Sequence, residues 1–501
     1  MKINNKKETR QISKNLIINL SAFFVQFATN FFVIPLIVGK VGTAAYGFIG
    51  LANDCVSYAA VVASIFNSVS GRFIANEYYK KNYEKANIYY NSVLVANIIL
   101  SLGFLCIGSI FVINLERIYS ISFEIVKDVK ITFALVFVAY IVNLVTNVFS
   151  LSTFITNRMD IQGTRNVLRA IISIAITLIF FVFVSIKIYW ISLGYVFAAI
   201  IIAICNMNLA KKLTPELKYN ILLVKKYYVF ELSNAGIWMA LTSFSAVLLR
   251  GLDLTIANIF LGDYEMGLLS VARTMPNYMT NIIGTLAPLF TPVFILYYAK
   301  NNANSLEEQL IDSIKKMSRI LLIPIAVYIV YSYDFFCLWQ PSLSRNEQII
   351  VASISVITII QCFFEVSTAT MGQISVVVNK LKTPVIVTFI CAIISIILEI
   401  TLLLFTELKL VAIVLPTTIV LSIRCIIFNP FYAKQCIGTK KSLLKIILKE
   451  WAGIPIYLLI GQLVSDIFLI SSWYELIMSV FVSCVINYLL LFVTIKMRKD
   501  I

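Results

Sequence analysis

The sequence contains no histidine. That removes imidazole from every chemical hypothesis: no histidine proton relay, no histidine metal ligand and no histidine general base. Charge is scarce as well, at 13% of residues, where an average soluble domain carries about 25%. The nine cysteines are odd in number, scattered singly and mostly set in apolar runs, and no CxxC pair occurs. They read as small hydrophobes rather than as disulfides or metal ligands. No GxxxxGK(S/T) phosphate loop is present, and no segment between apolar runs is long enough to house a nucleotide-binding or catalytic domain. No catalytic residue, cofactor or metal site is therefore expected.

Apolar residues are what the chain has, at 60%, more than a soluble core can bury. Fourteen apolar segments recur, at about 15–38, 48–71, 88–113, 131–154, 167–186, 189–210, 232–258, 267–297, 318–338, 349–377, 385–405, 409–432, 447–469 and 474–495. They are of roughly 20 residues rather than alternating runs of about ten, so helices and not a barrel are expected. The basic start (MKINNKKETRQISK) feeds a run too long for a signal-peptide core, which predicts an uncleaved first transmembrane helix. With both termini placed inside, 31 Lys/Arg fall in inner segments and 7 in outer loops. The bias alternates loop by loop, as cytoplasmic retention of positive charge requires. The net charge of +16 then follows from topology and attraction to anionic inner-leaflet lipid, and a nucleic-acid partner is not expected.

The chain contains one stretch twice. LIVGKVGTAAYGFIGL (Leu36 to Leu51) returns as IANIFLGDYEMGLLSV (Ile256 to Val271), with Gly42 and Gly47 matching Gly262 and Gly267 at an offset of 220. YYKKN at 78–82 meets YAKNN at 298–302 at the same offset, and AIISI occurs at 170–174 and 392–396. Two copies of one six-helix unit are implied, both inserted with the same orientation. The expected organisation is an N-lobe at 1–210 (helices 1–6), a cytoplasmic linker at 211–231, a C-lobe at 232–435 (helices 7–12), and helices 13 and 14 at 436–501.

The elbow GTAAYGFIGL, its echo GDYEMGLLSVA and the six-plus-six-plus-two layout resemble the multidrug/oligosaccharidyl-lipid/polysaccharide (MOP) flippase superfamily, most closely its polysaccharide (Wzx-type) branch. The resemblance covers essentially the whole chain. It implies an all-α polytopic membrane protein of fourteen transmembrane helices with a MATE-like fold. It also implies transport of a polyprenyl-diphosphate-linked oligosaccharide, a capsule, O-antigen or teichoic-acid precursor, across the bacterial plasma membrane by alternating access. The implied partners are that lipid-linked glycan, membrane lipids, a coupling proton or sodium ion, and the pathway's glycan polymerase and glycosyltransferases. In the family an acidic residue ending helix 7 is often followed by arginine; here Leu254 follows Asp253.

Ionisable side chains at membrane depth are functional candidates by default. Arg250, Asp253, Arg273 and Asp54 form the candidate substrate-binding set. Arg250 and Asp253, three apart, are expected on one face of helix 7. Asp54 and Arg273 occupy nearly equivalent places after the two elbows. Arginine suits a diphosphate because its planar fork donates paired charged hydrogen bonds. The bland alternative is snorkelling plus a structural Arg250–Asp253 pair. Glu365, deep in helix 10, is the candidate ion-coupling carboxylate. Glu399 and Arg424 are expected to snorkel outward and inward. A multidrug cation antiporter and a membrane-embedded glycan polymerase or ligase are the rival readings. The first expects an acidic or apolar cavity, the second a sizeable catalytic outer loop.

Overall fold

The computed structural model describes residues 5–497 apart from Asn157 and Lys440. All regular structure among these residues is helical. The first seven helices are α1 (Asn5–Val41), α2 (Thr43–Tyr79), α3 (Tyr83–Ile113), the short α4 (Leu115–Ile118), α5 (Val126–Ile155), α6 (Met159–Phe183) and α7 (Tyr189–Leu213). The second repeat begins with α8 (Lys226–Arg250), α9 (Asp253–Leu261), α10 (Asp263–Ala272), α11 (Thr274–Leu286) and α12 (Thr291–Ala299). It continues with α13 (Ala303–Trp339), α14 (Arg345–Val377), α15 (Lys382–Phe405), α16 (Leu410–Ile423) and α17 (Asn429–Ile437). The chain ends with α18 (Leu443–Trp451), α19 (Ile454–Ile467) and α20 (Trp473–Met497).

Thirteen helices among the described residues are long and apolar enough to cross a membrane. The remaining apolar segment of the expected fourteen, 447–469, is helical but divided. The chain breaks at Ala452 and Gly453, just ahead of Pro455, and leaves the 14-residue α19. At about 1.5 Å per residue that helix spans less than the roughly 30 Å hydrocarbon core.

The repeat is written into the backbone. Gly42 and Gly262 both adopt φ of 98°, a conformation a side chain would strain, at the elbow that opens α2 and α10. Lys81 and Asn301 both turn left-handed, at φ of 59° and 52°. The next residue then caps a helix in both copies: the side chains of Asn82 and Asn302 accept from the N–H of Lys85 and Ser305. One difference separates the copies. α2 runs unbroken, whereas its counterpart is cut at Arg273 and again by the 3₁₀ turn at Ala287–Phe290. Pro276 explains the first cut, since it offers no N–H to the carbonyl of Ala272 and its ring crowds that oxygen; Pro288 lies in the second.

The chain forms two compact units, Met1–Val247 with Leu254–Gly267, and Leu248–Asp253 with Leu268–Ile501. The first therefore extends past segment 211–231 into α8. Leu232 of α8 is buried in one cluster with Val69 and Ile74 of α2, Val93 of α3 and Val148 of α5. Gly236 lies so close to Ile65 that a Cβ would stand 1.8 Å from its carbonyl oxygen. Segment 211–231 is itself pinned to α3. Asn87 accepts from the N–H of Lys218 and donates to the carbonyl of Glu216, and Asn91 does the same with Asn220 and Lys218.

In the second unit the core gathers Leu322, Val327 and Tyr331 of α13 with Cys362 and Val366 of α14, Tyr457 of α19 and Leu476 of α20. The last two helices thus dock on α13. The Tyr331 hydroxyl, fully buried, lies 2.9 Å from Ser483 Oγ and donates to the Gly461 carbonyl.

Candidate functional site

Two helix breaks in the second unit set the geometry. α8 stops at Arg250, with Gly251 and Leu252 bent before α9 begins at Asp253. Glycine is a poor helix former, so the break falls there. Arg250 and Asp253 consequently do not share a helix face as expected, and in place of the Arg250–Asp253 pair of the bland alternative the structure shows crossed pairings. The Arg250 guanidinium donates to Glu365 of α14 at 2.8 Å. Arg273 lies 3.5 Å from Asp253. Arg273 also donates to the main-chain carbonyl of Arg250 at 2.6 Å. That carbonyl is one of the acceptors a helix leaves unpaired at its C-terminus. Asp253, in the first turn of α9, also faces the positive end of a helix dipole.

The two pairs differ in burial. The side chains of Arg273 and Asp253 are 11% and 8% exposed, those of Arg250 and Glu365 31% and 26%. The more open pair faces a cavity of about 240 Å³. Arg424 also lines it, together with Thr368 and Asn429. Arg424 starts a π-helical turn, Arg424–Phe428, just before Pro430 removes an N–H from the ladder. Its Nε is buried and has no hydrogen-bond partner among the described residues. At this cavity two arginines thus face one carboxylate. Arg424 was expected to snorkel, and its place here was not foreseen.

Glu399 is also corrected. Rather than snorkelling, it is 2% exposed. Oε1 accepts from Ser395 at 2.9 Å and from Thr417 at 2.6 Å. Oε2 is buried without a hydrogen-bond partner among the described residues. The polar spacing of Ser395 and Glu399, one turn apart on α15, was the available signal. Asp54 is half-buried on α2, in the first unit.

The first unit contains the elbows. Gly47 of α2 lies against Gly267 of α10; a Cβ on Gly47 would approach the Gly267 Cα to 2.9 Å, and one on Gly267 would meet the Thr43 carbonyl oxygen at 2.3 Å. The repeated glycines thus exist for close approach. Nearby, Asn258 accepts from the N–H of Ser120 at 2.8 Å and donates to its carbonyl at 2.9 Å. Asp263 accepts from the N–H of Ser122 at 2.8 Å. Loop 119–122 is thereby fastened to the second elbow.

No sequence-family model matches the chain. Over 467 residues it is 26% identical to an uncharacterized membrane protein, EpsK, of Bacillus subtilis (strain 168), covering 92% of this chain and 91% of that one. Among solved structures, the lipid II flippase MurJ in its inward closed conformation superposes with a TM-score of 0.72 at 16% identity, over 96% of this chain and 99% of that one. An inward-facing multidrug resistance MATE transporter gives 0.68 at 12% identity, over 85% and 100%. A MOP superfamily transporter from Pyrococcus furiosus, described by the reverse polarity of its binding pocket, gives 0.66 at 14%, over 85% and 95%. This multi-pass membrane protein has the fold of the MOP superfamily of transporters and flippases.

Proposed function

We propose that the protein translocates a polyprenyl-diphosphate-linked oligosaccharide, a capsule, O-antigen or teichoic-acid precursor, across the bacterial plasma membrane by alternating access. The observation that carries this reading is the cavity of the second unit, where Arg250 and Arg424 face the single carboxylate of Glu365. An excess of guanidinium favours an anionic headgroup and disfavours a cationic drug. A structural neighbour moves lipid II by its own description, and it superposes over nearly the whole chain. The Lys/Arg pattern supports a chain with both termini in the cytoplasm. The polymerase or ligase reading finds no support in the short outer loops.

The headgroup engages Arg250 and Arg424 while the lipid tail stays in the bilayer, in the company of bulk membrane lipids. Arg273 and Asp253 hold the Arg250 backbone in place. A proton or sodium ion supplies the drive, with Glu365 as the coupling carboxylate when it exchanges Arg250 for the ion. Glu399 is a second coupling candidate, since one of its oxygens is unclaimed. One charge moving across 100 mV supplies about 2.3 kcal/mol. Glycosyltransferases deliver the substrate and a polymerase consumes it.

Deletion of the gene tests the reading. Surface glycan should be lost, lipid-linked oligosaccharide should accumulate on the inner leaflet, and sensitivity to lipophilic cations should be unchanged. Intact surface glycan together with hypersensitivity to such cations would establish the antiporter instead.

A further inference from the structure

The first unit holds a second cavity, of about 320 Å³, built from two polar stripes that the transport reading leaves unused. On α5, Asn143, Asn147 and Ser150 recur at helical spacing; on α6, Gln162, Arg165 and Arg169 do the same, and all six line the space. Residues three, four and seven apart share one helix face. Stripes of this kind are costly at membrane depth unless something polar fills the gap between them. The volume lies at the lower end of small-molecule sites, roughly 300–1,000 Å³.

The charge is what distinguishes this cavity. Arg165 donates to the Asn206 side chain and, at 2.9 Å, to the Cys205 carbonyl. Arg169 donates to Asn143 at 3.2 Å, and its Nε is buried without a partner. Among the described residues neither arginine meets a carboxylate, and apart from Ile202 the rest of the wall is amide and hydroxyl. Two guanidiniums four residues apart repel each other, and neutral amides do not cancel their charge. Asn147 is fixed from behind by Asn67 of α2, at 3.1 Å, so the wall is set in place. Leu168 and Ile171 of α6 are exposed apolar side chains, as expected of a helix that meets lipid tails.

We infer that Arg165 and Arg169 form an anion site of their own, which takes the phosphate headgroup of a membrane lipid. The ligand chemistry is a phosphate ester on an acyl or polyprenyl chain. Two sources fit it, an anionic glycerophospholipid such as phosphatidylglycerol and a polyprenyl diphosphate. The site stands whether or not the proposed transport activity does.

The test is native mass spectrometry of the full chain, released from phosphatidylcholine vesicles containing either phosphatidylglycerol or undecaprenyl diphosphate. Wild type should retain at least one of the two lipids as an adduct. The double variant Arg165→Gln/Arg169→Gln should retain it about tenfold less or weaker still, since charged hydrogen bonds are each worth that much or more. Arg165→Lys/Arg169→Lys should fall between, keeping charge and losing the fork. Ser150→Leu fills the cavity and leaves both arginines; it should also lose the adduct, and it replaces the glutamine variant if that fails to fold. Retention of phosphatidylglycerol alone identifies a resident lipid site, and retention of undecaprenyl diphosphate alone a substrate site. No adduct on wild type, or equal adducts on wild type and Ser150→Leu, would overturn the inference.

Discussion

Arg273 donates from its guanidinium to the main-chain carbonyl of Arg250, 2.6 Å away, so two arginines 23 residues apart are tied directly to each other. The tie divides their labour. Arg273 is spent on Asp253 and on the broken end of α8, and Arg250 is left to Glu365 and the cavity.

Arg273→Gln should therefore act first on stability. It strands the buried Asp253 carboxylate, and removal of one partner of a buried pair costs about 3–5 kcal/mol. Arg273→Gln/Asp253→Asn should unfold at a higher temperature than Arg273→Gln alone in a detergent melt. Equal melting of the two variants would show that the pair is not coupled.

Arg250→Ala should behave in the opposite way. The Arg250–Glu365 pair is more open than the Arg273–Asp253 pair and lines the cavity, so its loss should cost less stability than loss of the buried pair. Transport, read as surface glycan at matched protein levels, should nevertheless fall sharply, with lysine rescuing only in part. Full activity of Arg250→Ala would leave Arg250 a structural residue.

Gly267→Ala should damage the elbow contact more than its size suggests. The new methyl meets a backbone oxygen at 2.3 Å, which cannot rotate away. Overpacking of this kind costs about 1–3 kcal/mol. The variant should still reach the membrane, and a short bis-maleimide should join Ser122→Cys to Asp263→Cys less efficiently in it than in its parent, both lacking the native cysteines. Unchanged cross-linking would show that the elbows do not depend on the glycine contact.

The coupling carboxylate is separable by gradient response. Glu365→Gln should lose the stimulation of flipping by an imposed proton or sodium gradient if the Arg250 pairing switches with the ion. Glu399→Gln should lose it if the unclaimed oxygen of Glu399 is the ion's ligand. Wild-type stimulation in both variants, measured in vesicles, would remove both residues from coupling.

The sequence carried the repeat clearly because its marks are backbone demands. Gly42 and Gly262 sit at φ of 98°, and the matched left-handed turns fall at Lys81 and Asn301. The apolar runs likewise foretold long helices, since lipid forces each span to satisfy its own backbone. Pairing of the charges was not legible. Arg250 meets Glu365 115 residues away, and a bend of two residues separates it from Asp253. Hydropathy registers a run of apolar side chains and is blind to such a break, which also hid the division of segment 447–469 at Gly453. Glu399 was misplaced for a related reason. A carboxylate near the end of a helix reads as free to snorkel until Thr417, from another helix, is seen to hold it at 2.6 Å.

The central claim is that the cationic cavity of the second unit moves a lipid-linked diphosphate. Its most direct test is translocation in vesicles reconstituted with the purified protein and a fluorescent undecaprenyl-diphosphate-linked oligosaccharide, scored by protection from an external glycan-cleaving enzyme. Wild type should expose the protected pool far faster than protein-free vesicles, and Arg250→Ala/Arg424→Ala should return the rate to background. A wild-type rate no greater than that of protein-free vesicles, or a double variant as fast as wild type, would contradict the account.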